Sequence, residues 1–217
     1  MIKASHKKWA DYIFDIYLNN IIKKDFKDFY LIGNIPELDN NKGLIITPNH
    51  FSWWDGFFIY FLMKKFSTRK IYIMMLEDQL KKYSFFKKLG AFSINQQNPK
   101  SIIESINYAS SVLSNNSYLV TYPQGEIEPY DKRPLTLKEG LIKIIDKVNI
   151  ETDVLPVVFK IHHTNERKPF LYAIMGNLIP AKTVKYNFQS FSDSFNQLVV
   201  ELDREFKVDK KISVFDK

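Results

Sequence analysis

The stretch Asn49-His50-Phe51-Ser52-Trp53-Trp54-Asp55-Gly56 places an imidazole five positions before a carboxylate. It follows the apolar run Gly43 to Pro48 (GLIITP), which reads as a short buried strand, so His50 stands at a strand's carboxyl end. On one regular helix, five positions turn through about 500° and leave two side chains roughly 140° apart. The pair meets only if the strand-to-helix connection curls back, with Asp55 in the first turn of the helix. A carboxylate held there keeps the imidazole in one tautomer and stabilises its protonated form. The other ring nitrogen then serves as a general base near neutral pH. The purely structural alternative is that Asp55 caps the helix and His50 is a strand-end histidine with its hydrogen bonds met. A lone H-x-x-x-x-D is common by chance.

A second polar block is Thr121-Tyr122-Pro123-Gln124-Gly125-Glu126-Ile127-Glu128-Pro129. It follows another apolar stretch, Ser117 to Tyr122. Pro-Gln-Gly reads as a turn in which glycine lets the backbone approach closely. Two polar loops at two strand ends, one with a His/Asp pair and one with Gln and Glu, can face one cleft. A plain β-turn ahead of a loop is the alternative.

Other chemistry lacks support. There is no GxxxxGK[ST], GxGxxG or GxSxG, so phosphate-loop, dinucleotide and hydrolase-elbow readings have no motif. With no cysteine, thiol nucleophiles, disulfides and Cys-ligated metals are excluded. His162 and His163 are adjacent and point to opposite sides of a strand end, which disfavours a shared metal. His6 lies in a basic tail and is expected in solvent. No metal site is assigned.

The elements that must position these groups alternate along the chain. In 217 residues, hydrophobic content is 45% and charged content 25%, the balance of one globular α/β domain. Strands are expected over Phe29 to Ile35, Gly43 to Pro48, Lys70 to Met75, Ala91 to Asn95, Ser117 to Tyr122, Val154 to Ile161 and Phe170 to Ile179. Helices are expected over Asp55 to Phe66, Leu76 to Leu89 (stopped by Gly90), Ser101 to Leu113, Leu137 to Val148 and Phe188 to Phe206. In the third of these, Ile102, Ile103, Ile106 and Val112 should face inward. Such alternation implies a single domain with a mostly parallel central sheet flanked by helices, whose chemistry gathers at the carboxyl ends of strands. An amphipathic helix precedes it over residues 1–28, with Trp9, Tyr12, Ile13, Ile16, Tyr17, Ile21 and Ile22 recurring at steps of three and four. That helix either packs on the core or lies on a membrane. No apolar run reaches the ~18–20 residues of a membrane span, and Met1 to Lys8 lacks a signal peptide's apolar region. A cytoplasmic protein is expected.

The NHxSxxD block resembles the first motif of the glycerolipid acyltransferases, the lysophosphatidic acid acyltransferase-like group. Tyr122-Pro123-Gln124-Gly125 resembles their third, commonly FPEG followed by Thr and Arg. Gly90 to Gln96 stands where the second motif belongs, and Leu155-Pro156-Val157-Val158 is similar to the fourth, apolar-proline block. Four blocks in order, from about Phe29 to Ile179, make the likeness far more specific than any one block. It implies an acyltransferase domain over 29–217, with a fatty acyl group moving from acyl-CoA or acyl carrier protein to a lipid hydroxyl and no bound cofactor. His50 would take the acceptor's proton and Asp55 would orient His50. Asn49 and Ser52 would support them. No covalent enzyme intermediate is required.

The chain departs from this pattern where phosphate would be held. Gln96 stands where the second motif usually has Arg. In the third motif Glu becomes Gln124, Thr becomes Glu126 and Arg becomes Ile127. Arginine is the natural bidentate partner of phosphate. An acceptor without a phosphate monoester is therefore expected, contacted by Asn95, Gln96, Tyr122, Gln124, Gly125 and Glu126.

Net charge is +7 and aromatics reach 15%. Lys64 to Lys88 holds eight basic residues against Glu77 and Asp78, a surplus of six that is nearly the whole net charge. Its end, Leu80 to Leu89, mixes Tyr83, Phe85 and Phe86 with paired lysines. This suits a helix on an anionic bilayer, an acidic carrier protein or the phosphates of CoA; a solvated helix with those rings buried is the alternative. Trp53, Trp54, Phe57, Phe58, Tyr60 and Phe61 either line an acyl channel or pack in the core. The expected partners are the anionic lipids of the membrane's inner face, to which the protein attaches peripherally, and an acyl carrier protein. A basic protein binding nucleic acid, or lipid without turnover, is the competing reading; the absence of any RNA-binding motif speaks against nucleic acid.

Overall fold

The computed structural model describes residues 1–205 and 211–216. A nine-stranded sheet organises them: β1 (Asp28–Ile32), β2 (Gly43–Pro48), β3 (Lys70–Leu76), β4 (Ala91–Ile94), β5 (Ser117–Val120), β6 (Thr152–His162), β7 (Phe170–Met175), β8 (Ile179–Pro180) and β9 (Lys211–Ser213). The order is β4-β3-β5-β2-β6-β7-β1-β9, with β8 paired to β6. Pairing is parallel from β4 through β6 and again between β1 and β7; β6–β7, β1–β9 and β6–β8 are antiparallel. The sheet is thus mostly parallel, as the alternation of elements predicts.

Both faces of the sheet are covered, and side-chain alternation sorts the residues between them. Leu44, Ile46, Tyr118, Val120, Leu155, Val157 and Phe159 point to one side. There they meet α2 (Asp55–Phe66), over which lies α1 (Lys8–Asp25). Ile45, Leu119, Val154 and Val158 point to the other, toward α4 (Pro99–Val112), α5 (Gly140–Ile145), α6 (Ala181–Tyr186) and α7 (Phe188–Glu205). Every residue of α2 from Phe57 to Met63 is buried, as befits a helix apolar all round and sandwiched between sheet and helix.

The structure corrects several sequence expectations. The helix α1 buries Ala10, Phe14, Leu18 and Ile22, while Trp9, Tyr12, Ile13, Ile16 and Tyr17 face outward. Small Ala10 lets the four-residue stripe seat on α2, where Phe14 packs edge-on against Phe57 and Tyr60. The helix expected over Leu76 to Leu89 breaks at Tyr83 into α3 (Glu77–Lys82) and a 3-10 segment, Ser84–Leu89. The break turns Phe85 and Phe86 onto the Phe14 ring. Gly90 ends it at φ +103°, where a Cβ would sit 2.0 Å from the Ile71 carbonyl oxygen, so only glycine fits.

In α4, Ile103 is 60% exposed. Buried Ser101, Ser105 and Ala109 instead let the helix sit close to the sheet, with Ser105 Oγ donating to Ser101 O and the Ser93 carbonyl contacting the same hydroxyl at 2.8 Å. His6 is not in solvent: its ring packs edge-on to Tyr72 at 4.8 Å. The first and last strands of the sequence reading are trimmed, β1 ending before Gly33 at φ +75° and β7 at Met175. The helix expected over Leu137 to Val148 shortens to α5. The final helix runs to Glu205, and Phe206 lies outside the described residues.

Candidate active site

Parallel pairing brings the two polar loops together. Ile46 of β2 lies beside Val120 of β5, so the loops that leave those strands start as neighbours. On the other flank, Pro48 lies beside Val157 of β6. Asn49 prolongs that pairing with its side chain: Nδ2 donates to Phe159 O at 2.9 Å, and Phe159 N–H donates to Oδ1 at 2.8 Å. The loop therefore leaves the sheet from a fixed point.

The connection then curls back. Asp55 opens α2, and its Oδ2 accepts from Phe51 N–H at 2.7 Å and Ser52 N–H at 2.8 Å. The same oxygen lies 2.8 Å from His50 Nδ1. Ser52 shapes the turn, its Oγ accepting from Trp54 N–H and its carbonyl from Asp55 N–H. An ionised carboxylate only accepts, so Nδ1 carries the proton and Nε2 is left as the basic nitrogen. Asp55 is fully buried, and His50's side chain keeps 22% exposure. Burial pushes the Asp55 carboxyl above its usual value, while His50 and the two backbone N–H groups pull it back. The arrangement can take a proton at Nε2 and stabilise the resulting imidazolium.

His50 borders a cavity of about 560 Å³. Trp53, Phe57, Tyr60, Met74, Phe86, Ile102 and Ile106 make its body apolar, and Gln96, Gly125, Glu126, Lys138 and Lys143 make it polar near the loops. Trp54, Phe58 and Phe61 pack instead in the core. Tyr122 lies flat on the imidazole, ring centroids 4.2 Å apart. Its hydroxyl is buried with no partner among the described residues, and burial raises its pKa well above the ordinary value.

Of the six residues expected to contact the acceptor, Gln96, Tyr122, Gly125 and Glu126 border this cavity. Gln96 Nε2 donates to Gly125 O at 3.0 Å, bridging the two loops. Asn95 does not border it: it lines a separate polar cavity of about 220 Å³ with Glu77 and Glu104. Gln124 does not either. It is 2% exposed, with its amide directed onto the His50 backbone and Glu128. Sequence reasoning missed Lys138, which forms a 3.0 Å ion pair with Glu126. It reaches the site because its backbone N–H donates to Pro123 O at 2.7 Å, a return of the chain that no local pattern announces.

The family model described as Acyltransferase matches residues 28–160. No curated protein matches the chain. Among solved structures, the 1-acyl-sn-glycerophosphate (LPA) acyltransferase PlsC from Thermotoga maritima is similar, with a TM-score of 0.60 and 16% identity over 90% of this chain and 82% of that one. At that identity the likeness is one of fold. The family match spans well over half of the sequence and both polar loops, and the chain belongs to the acyltransferase family.

Proposed function

We propose that the protein transfers a fatty acyl group from a thioester, acyl-CoA or acyl carrier protein, to a hydroxyl of a lipid acceptor, in the synthesis or remodelling of phospholipids and related lipids. The observation that carries this reading is the 2.8 Å contact between His50 Nδ1 and Asp55 Oδ2 at the edge of a largely apolar cavity. His50 Nε2 takes the acceptor O–H proton as that oxygen attacks the thioester carbonyl. The C–S bond breaks, and the proton passes to the departing sulfur. Asp55 fixes the tautomer and stabilises the transient imidazolium. The apolar cavity gives the acyl chain a dry site.

The acceptor lacks a terminal phosphate monoester in this reading. Among the described residues no arginine borders the cavity, and of its two lysines, Lys138 and Lys143, the first is already paired with Glu126. PlsC, by contrast, is described as acting on 1-acyl-sn-glycerophosphate. The protein works on the inner face of a membrane rich in anionic lipid. Support comes from the outward ring of Trp9, Tyr12, Ile13, Ile16 and Tyr17, with Lys88 over Trp9, and from exposed Trp53 and Leu76 at the cavity itself.

Labelled acyl-CoA offered with lysophosphatidic acid or with neutral lyso-lipids tests the assignment. The neutral acceptors should be preferred, and His50→Ala should lower turnover by about 10²–10⁴-fold with an unchanged circular dichroism spectrum. Preference for the phosphate monoester would overturn the acceptor; unchanged turnover in the variant would overturn the base.

A further inference from the structure

Position 124 is where the third motif departs most plainly from the family's usual glutamate, and its surroundings give a reason. Gln124 Oε1 accepts from the His50 backbone N–H at 2.7 Å. Its Nε2 donates to Glu128 Oε2 at 2.9 Å and lies 3.3 Å from His50 O. The same carbonyl accepts from Glu128 N–H at 3.0 Å. Both backbone polar groups of His50 are thus held by the turn from 124 to 128. The other oxygen of Glu128 pairs with Lys132, which holds the carboxyl below its usual value and so ionised. An ionised carboxylate offers no proton, so Nε2 must face Glu128 and Oε1 must face the His50 N–H. A glutamate at 124 would set two carboxylates at hydrogen-bond distance in a largely buried site, where they repel unless the pair takes up a proton.

We propose that Gln124 is a positioning residue: oriented by Glu128, it fixes the His50 backbone and thereby the imidazole between Asp55 and the cavity, so that residues 124 and 128 act as one exchangeable amide–carboxylate pair. This rests on the acyl-transfer reading for its kinetics, but its geometry stands apart from it. Gln124 makes no contact with acceptor. The departure from glutamate at 124 is matched by the carboxylate at 128, and so says nothing by itself about the acceptor.

The test is a swap. Turnover of acyl-CoA with a neutral lyso-lipid is measured for the wild type, Gln124→Glu, Glu128→Gln and the double variant carrying both. Displacing a catalytic group by about 1 Å costs about 100-fold, so Gln124→Glu should lose about that factor in kcat with KM changed less than about 3-fold. The double variant should return to within about 5-fold of wild type. A KM-only loss in Gln124→Glu, or a double variant no better than the single one, overturns the proposal. If Gln124→Glu does not fold, the double variant decides alone by the same 5-fold margin. A second readout needs no turnover: the ¹⁵N-imidazole resonances of His50, assigned with His50→Ala, should move in Gln124→Glu and return in the swap. Absence of turnover in the wild type would strike the acyl-transfer reading and leave this spectroscopic test standing; resonances that do not return would strike the pair itself.

Discussion

Asp55 concentrates its acceptor capacity on one oxygen. Oδ2 takes His50 and two backbone N–H groups, whereas Oδ1 is buried with no partner among the described residues. The carboxylate therefore holds a loop and an imidazole at once. Asp55→Asn can keep only part of this: with its amide oxygen toward the backbone donors, it still accepts from Nδ1 but no longer supplies charge. The expected outcome is a loss of about 10⁴-fold in kcat, read in steady-state assays, with the fold retained. Spacing showed how this pair could meet, since a His and an Asp five apart at a strand-to-helix junction touch only in a curled loop, but that spacing is common by chance and the four blocks in order carried the reading. Gln124 was not legible. Its inward orientation depends on Glu128, and the sequence does not say which turn residues face the protein. Asn95 and Gln96 show the same limit: neighbours in the chain, they border different cavities.

Among the elements, α1 separates what periodicity could and could not show. Apolar residues recur on more than one face, and the bulkier set attracted the sequence reading. The face that docks is marked by Ala10, whose small side chain carries little hydrophobic weight. The two faces should respond differently to substitution. Phe14→Ala should cost about 3–5 kcal/mol in urea denaturation. The pair Ile13→Lys and Ile16→Lys should change stability by less than about 1 kcal/mol, since surface changes are each within about 0.5. The same pair should weaken co-sedimentation with vesicles containing phosphatidylserine, although it adds positive charge. Unchanged vesicle binding would mean that this face does not insert. The sheet strands were legible because parallel strands buried on both faces read as short apolar runs. The break at Tyr83 was not, because it answers to Phe14, a residue some seventy positions away.

At the scale of the molecule, a polar knot ties α7 to the far end of the active-site loop. Asp203 accepts from Lys160 Nζ at 2.7 Å, Tyr130 Oη at 2.8 Å and Arg133 at 3.2 Å. Tyr130 in turn packs edge-on to Phe51, beside His50. Burial alone would raise the Asp203 carboxyl, but Lys160 and Tyr130 bring it below its usual 3.8. Glu128, held by Lys132, likewise lies below 4.5. Groups lowered on folding contribute stability that is complete above their unfolded values and lost as pH falls through the folded ones. Asp55, raised by burial, works in the opposite sense: its contribution is present at low pH and lost as pH rises through its folded value. Glu77 and His6 are lowered as well and Asp15 is raised, so four groups against two predict a melting temperature that declines below about pH 5. Asp203→Asn should flatten that decline, as differential scanning fluorimetry from pH 7 to 3 would show.

The burial of α2 on every side has a consequence for how the protein can evolve or be cut. From Phe57 to Met63 the helix that presents Asp55 has no wettable flank of its own; α1 is its roof. Trimming the outer helix would not yield a smaller, simpler enzyme. It would lay bare a run of phenylalanines on the helix that carries the carboxylate, so the surface ornament and the reactive centre stand or fall as one.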